Sequence, residues 1–227
     1  MPAKTQTIPT RRAFLAGSSA LAALALAGCA TGPRISLTEA VRRLLMLSAD
    51  NAFVRLTAPG GFWDQQVTRL ALPEVFSGRG LVLQQILTSV LFRERLQRAF
   101  NRMAERGAER AAPVVAETIR TIGYDNALAL VTGSPHAASD YLRGHMAGSL
   151  AEVMVPALGD GLRVAEDPLV GQAIAALAGV DVNGVARAFS RQVDDAIWGE
   201  IGRQEAEIRA NPAATRDPLL IAVFKAV

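Results

Sequence analysis

Two carboxylates and two histidines are the residues from which chemistry would have to be built. Glu105 follows Arg102 at i,i+3 and Glu205 precedes Arg209 at i,i+4, so each carboxylate has a guanidinium one helical turn away. If the two segments pack together, the four groups can satisfy one another as a buried network that fixes register. In an open cleft they could instead bind a polar ligand or carry acid–base work. No nucleophile stands near either pair in sequence, which favours the structural role.

His136 and His145 are the only histidines, and nine residues at about 100° each put them on opposite faces of one helix, unable to share a metal. His136 lies one turn before Asp140, and His145 one turn after Tyr141 and one before Ser149. A Ser-His-Asp arrangement needs a strained, exposed turn, and no G-x-S-x-G is present. H-E-x-x-H, C-x-x-C, G-x-G-x-x-G and the Walker loop are also absent. No catalytic residue, metal site or cofactor is expected.

A third pattern is the arginine row Arg95, Arg98, Arg102, Arg106 and Arg110, a basic stripe at helical spacing. It reads either as a solvated face laced with Glu94, Glu105 and Glu109, or as a surface for lipid phosphate, lipopolysaccharide or peptidoglycan carboxylates. Gly144 and Gly148 form a small-xxx-small pair, which in a helical domain points to close packing.

The 227 residues are 50% hydrophobic and 20% charged, with one cysteine and a formal charge of +3. That composition excludes a disordered chain and a disulfide scaffold. Thr10-Arg11-Arg12-Ala13-Phe14-Leu15 has the form of a twin-arginine export signal, followed by an apolar stretch to Ala27 that is too short to span a bilayer. It ends in Leu26-Ala27-Gly28-Cys29, the pattern of a bacterial lipobox, so Cys29 is the expected lipidation site and residues 1–28 the expected cleaved signal. Ala30 in place of Asp favours the outer membrane, facing the periplasm. Without residues 1–28 the basic and acidic residues balance, so no single-sign field marks a nucleic-acid binder.

Residues 29–35 read as a tether and 36–227 as one multi-helix domain. The first helix opens on a capping box, Ser36 with Glu39, and stops at Pro59-Gly60-Gly61. An apolar loop from Phe62 to Gly80 should pack onto the core. The longest helical pattern runs from Leu81 to about Ala111, broken or kinked at Pro113, with a further helix to Ile122. Asp125 is placed to cap a short helix to Thr132, closed by Gly133, and Ser134-Pro135 to open a helix through Leu150 towards Pro156. Gly159-Asp160-Gly161 reads as a turn and the stretch after Asp167-Pro168 as a small-residue segment. Val182 to Ala210 reads as a helix, and Asp217-Pro218 opens a terminal one. Almost nothing alternates with period 2, so the class is all-α.

The order of motifs resembles the bacterial lipoprotein family catalogued as domain of unknown function 4197. The matching pieces are Leu70-Ala71-Leu72-Pro73, Phe100-Asn101-Arg102-Met103-Ala104-Glu105, Tyr124-Asp125-Asn126-Ala127 and Ala137-Ala138-Ser139-Asp140-Tyr141-Leu142-Arg143. Further on stand Asp195-Ala196-Ile197-Trp198, Glu205-Ala206-Glu207-Ile208-Arg209-Ala210-Asn211-Pro212, and Arg216 before Leu219-Leu220. The resemblance implies an exported, helical, lipid-anchored protein without an assigned activity. Asn101, Arg102, Glu105, Arg143, Glu205 and Arg209 are its candidate polar network or ligand site. The expected function is a non-enzymatic envelope module, held to the membrane by its N-terminal lipid, for an apolar ligand, a glycan or a protein partner. The competing expectation is an envelope hydrolase or transferase using the helix-borne carboxylates.

Overall fold

The structure, a computed structural model, describes residues 36–66, 68–73, 90–164, 168–176 and 181–225. The chain divides into a unit 1–36, of which only Ser36 is described, and a helical domain from Leu37. The signal residues Arg11 and Arg12, the lipobox cysteine Cys29 and the tether 29–35 therefore lie outside the described residues.

Among the described residues the domain holds eight α-helices and no strand, as the all-α reading expects. They are α1 (Leu37–Leu56), α2 (Val90–Thr121), α3 (Ala127–Thr132), α4 (Ala137–Met146), α5 (Ser149–Val164), α6 (Pro168–Ala176), α7 (Val182–Ala210) and α8 (Pro218–Phe224). A 3-10 helix, Pro212–Thr215, precedes α8. None of the described helices is long and apolar enough to cross a membrane.

The centre is α2 against α7, where the rings of Phe100 and Phe189 meet edge to face at 5.1 Å. α1 lies along both of these helices, and so does α5. Leu44, Leu45 and Leu56 of α1, Leu96 of α2, Met154 and Leu158 of α5 and Val193, Ile197 and Ile201 of α7 are sealed from solvent. Burial of each such side chain contributes roughly 1.5–3 kcal/mol. Arg43 on α1 joins Glu39 to Asp217, whose carboxylate caps α8, so the first helix is tied to the last.

α1 stops as its sequence predicts. Gly60 turns the chain at φ +80°, and Gly61 lies so close to the end of α1 that a Cβ there would sit 2.2 Å from the Arg55 carbonyl oxygen. The apolar loop then packs down: Phe62 and Leu70 are buried, and Trp63 and Leu72 half-buried.

Several boundaries differ from the sequence reading. Residues 81–89 lie outside the described residues, but from Val90 the second helix runs through Pro113 to Thr121 without a break. Ala108, Ala111, Val115 and Ile119 are buried on both sides of the proline, and this packing holds the helix together across the missing hydrogen bond. The cap of α3 is Asn126, whose side chain accepts from the Ala129 amide, rather than Asp125. The N-cap position of α4 is His136 rather than Ser134. The expected helix through Leu150 is divided at Ala147 and Gly148, both at positive φ, so Gly148 is a turn residue. Nothing lies within 4 Å of a Cβ built on Gly144, so the pair forms no close-packing seam. Gly159-Asp160-Gly161 lies inside α5, and Pro156 with it. A Cβ on Gly161 would meet Met103 Sδ at 3.0 Å, so that glycine lets α5 approach α2. The small-residue segment after Asp167 contains α6. The readings of α7 and α8 agree with the structure.

Candidate functional site

The six candidate residues do not form one network; five of them fall into three. Asn101 is completely buried on α2, where its Oδ1 accepts from the Leu70 amide at 3.0 Å and its Nδ2 donates to the Leu70 and Gln97 carbonyls. One turn on, Glu105 Oε1 accepts from the Gly60 amide at 3.0 Å. Burial lifts the Glu105 carboxyl above its ordinary range, while the Gly60 amide and the Arg102 charge pull it back. Both side chains thus clamp the chain that leaves α1 onto α2. Arg102 points to solvent.

The second network is built by α7. Glu205, with no exposed surface, accepts from the amides of Ala138 at 3.0 Å and Ser139 at 2.7 Å and from the Ser139 hydroxyl at 2.6 Å. These amides belong to the first turn of α4, where no side chain of α4's own supplies a cap, so a carboxylate from another helix caps it. Arg209 donates to Glu205 Oε1 at 2.8 Å and to the carbonyls of Leu130 and Val131 at 2.6 and 2.8 Å, in the last turn of α3. Its guanidinium also lies over the Phe224 ring.

The third network lies beside the second. Arg143 on α4 pairs with Asp195 and, at 3.5 Å, with Asp194 of α7. Asp194 accepts from the Trp198 indole N–H; burial raises its carboxyl, and the Arg143 charge and the indole bond oppose that rise. With His136, Ser139, Asp140, Trp198, Gly199 and Gly202, Arg143 and Asp195 line an open cleft of 230 Å³ between α4 and α7. This is below the roughly 300 Å³ at which drug-sized sites begin, and suits one sugar ring or a group of that size. Gly199 forms part of its wall, where a Cβ would meet nothing within 4 Å. A second cleft, of 310 Å³, lies where α1 meets the end of α7 and the 3-10 helix; its lining includes Asn51, Gln204, Glu207 and Asn211.

The hydroxyl and imidazole at the first cleft are engaged with other groups of the protein. Ser139 is buried with its hydroxyl committed to Glu205, and His136 Nδ1 lies 2.9 Å from the Gly202 carbonyl, which only accepts, so that nitrogen carries the proton. No His–Ser relay forms. His145 lies instead against the Tyr141 ring at 4.9 Å. Glu105 and Glu205 share no partner and hold different elements. Among the described residues no group of three His, Cys, Asp or Glu side chains could hold a metal.

Sequence reasoning singled out Arg143 but not its setting. Asp195, Trp198 and Gly199 gain their role only because α7 crosses the start of α4. The signal available was that the segments 137–143 and 195–198, separated by half a hundred residues, both carried the family resemblance; here they face each other.

Fold and site together define an all-α domain in which motifs far apart in sequence meet at the joint of α3, α4 and α7. The chain belongs to the family described as protein of unknown function (DUF4197), whose model matches residues 34–225. No curated protein matches the chain, and no solved structure does.

Proposed function

We propose that this protein is a lipid-anchored module of the bacterial envelope that binds a glycan in the α4–α7 cleft and performs no chemistry of its own. In this reading residues 1–28 direct twin-arginine export and are removed, Cys29 carries the lipid, and the domain faces the periplasm from the outer membrane. The observation that carries the binding role is the cleft itself. Arg143 supplies donors, Asp140 and Asp195 supply acceptors, and Gly199 keeps the wall clear, a set suited to hydroxyls and amides. An apolar ligand finds less support there, since Asp140, Arg143 and Asp195 all border the cleft. The hydrolase reading loses its reagents, because Glu105 and Glu205 are both committed to backbone amides.

The test is an NMR titration with a peptidoglycan-derived disaccharide, following Gly199 and the Arg143 side chain. Binding at this cleft should weaken about tenfold in Arg143→Gln, the loss of roughly one charged hydrogen bond. Equal binding by that variant, or a co-purified lipid in place of any glycan response, would overturn the proposal. Intact-mass measurement on the membrane fraction tests the anchor separately, by the loss of residues 1–28 and an acylated Cys29.

A further inference from the structure

The arginine row gains a second ingredient in the structure. Leu91, Arg95, Arg98 and Arg102 recur at intervals of four, three and four, so they share the outward face of α2. Leu91 is 71% exposed. Beside this face stands half-buried Trp63, its ring in contact with two guanidiniums, Arg69 at 4.4 Å and Arg98 at 4.9 Å, while Arg69 Nε also donates to the Trp63 carbonyl. Between residues 93 and 110 there are six arginines and three glutamates, whereas the chain beyond residue 28 balances its charges. Among the described residues Arg95 makes no ion pair, while Arg98 is paired with Glu94.

We infer that this face docks on an anionic bilayer surface, the guanidiniums meeting lipid phosphates while Leu91 and Trp63 enter the headgroup layer. Cations around a tryptophan and an exposed leucine match an interface that is charged outside and apolar just below. A purely polyanionic partner would make no use of the two apolar groups. The inference rests on the anchor proposed above for its setting: from Cys29 to Leu37 the chain can extend at most about 28 Å, which keeps the domain at the bilayer.

The experiment uses the chain from residue 29 on, the form left when residues 1–28 are removed, with Cys29→Ser so that neither signal nor acyl group contributes, mixed with vesicles of phosphatidylethanolamine with or without roughly one-third phosphatidylglycerol. Partition should be about tenfold stronger on the anionic vesicles, and this preference should vanish in Arg95→Glu/Arg102→Glu, whose two sites are exposed and which should still unfold cooperatively as a folded domain. Bromine-labelled acyl chains should quench the part of the fluorescence that Trp63→Phe removes. Undiminished partition of the double variant would overturn the inference, as would vesicle binding without Trp63 quenching, or loss of heparin binding alone. Because the acyl group is absent, failure here leaves the Cys29 reading intact, and an unmodified Cys29 in the native protein leaves this result intact.

Discussion

Glu205 and Arg209, one turn apart on α7, close the ends of two other helices: the carboxylate caps the start of α4 and the guanidinium the end of α3. Each charge is matched to the partial charge at the helix end it meets, and the two are matched to each other at 2.7 Å.

Arg209→Met should therefore be costly. It leaves Glu205 buried without its counter-charge and two carbonyls without their donor, a loss on the order of 3–5 kcal/mol. Arg102→Ala, at an exposed position, should cost under about 1 kcal/mol. Urea unfolding of the two variants side by side checks the contrast, and a reversed order would show that the polar network has been placed on the wrong helix.

Glu105 and Glu200 should respond to pH in opposite directions. Burial raises Glu105 above 4.5, so its contribution is fully present below that value and is lost as pH rises through the higher native one. Burial also acts most strongly on Glu200, but bonds from Arg203 and Gln204 and the charges of Arg203 and Arg55 together hold it below 4.5. Its contribution is present above 4.5 and lost as pH falls through the lower native value. Glu105→Gln should thus match or exceed the parent in Tm at neutral pH, with the difference shrinking in acid. Glu200→Gln should be less stable at neutral pH, again with a shrinking difference. Melting curves from acid to neutral pH measure both.

Gly199→Ala should stabilise α7 by about 0.5–1 kcal/mol, since the methyl meets nothing and glycine is a poor helix former. Gly199→Leu should fill the cleft and abolish glycan binding while the fold is kept. Calorimetry for the first and NMR titration for the second give the readouts. Undisturbed binding by the leucine variant would move the ligand elsewhere.

Asn101→Asp should be among the most damaging small changes. It would set a buried carboxylate against the Leu70 and Gln97 carbonyls, which now accept from the amide nitrogen, at an expected cost upward of about 3 kcal/mol at neutral pH. Lowering the pH should restore part of the loss by protonating the new acid. A pH-independent deficit in thermal unfolding would argue against this geometry.

Helix type was legible in the sequence wherever caps and periodicity agreed. The pattern from Val182 to Ala210 marks α7, Asp217-Pro218 opens α8, and both helices stand where expected. Reading failed where a residue's local habit lost to packing. Pro113 and Pro156 signal breaks, and Gly159 and Gly161 a turn, yet each lies within a helix held by its neighbours. Glu205 and Arg209 were visible as a pair. Their partners, the Ala138 and Ser139 amides and the Leu130 and Val131 carbonyls, are backbone groups and leave no trace in residue identity.

The way Glu205 and Arg209 grip α4 and α3 also sets how the molecule can come apart. One ion pair rivets both sides of the corner between these helices, so lifting either helix end from α7 exposes the pair that fastens the other. The stretch from Ala127 to Met146 should open as a unit, and the amides of Ala138 and Ser139 should exchange with solvent in step with the remainder of that hairpin rather than fray singly as helix starts ordinarily do.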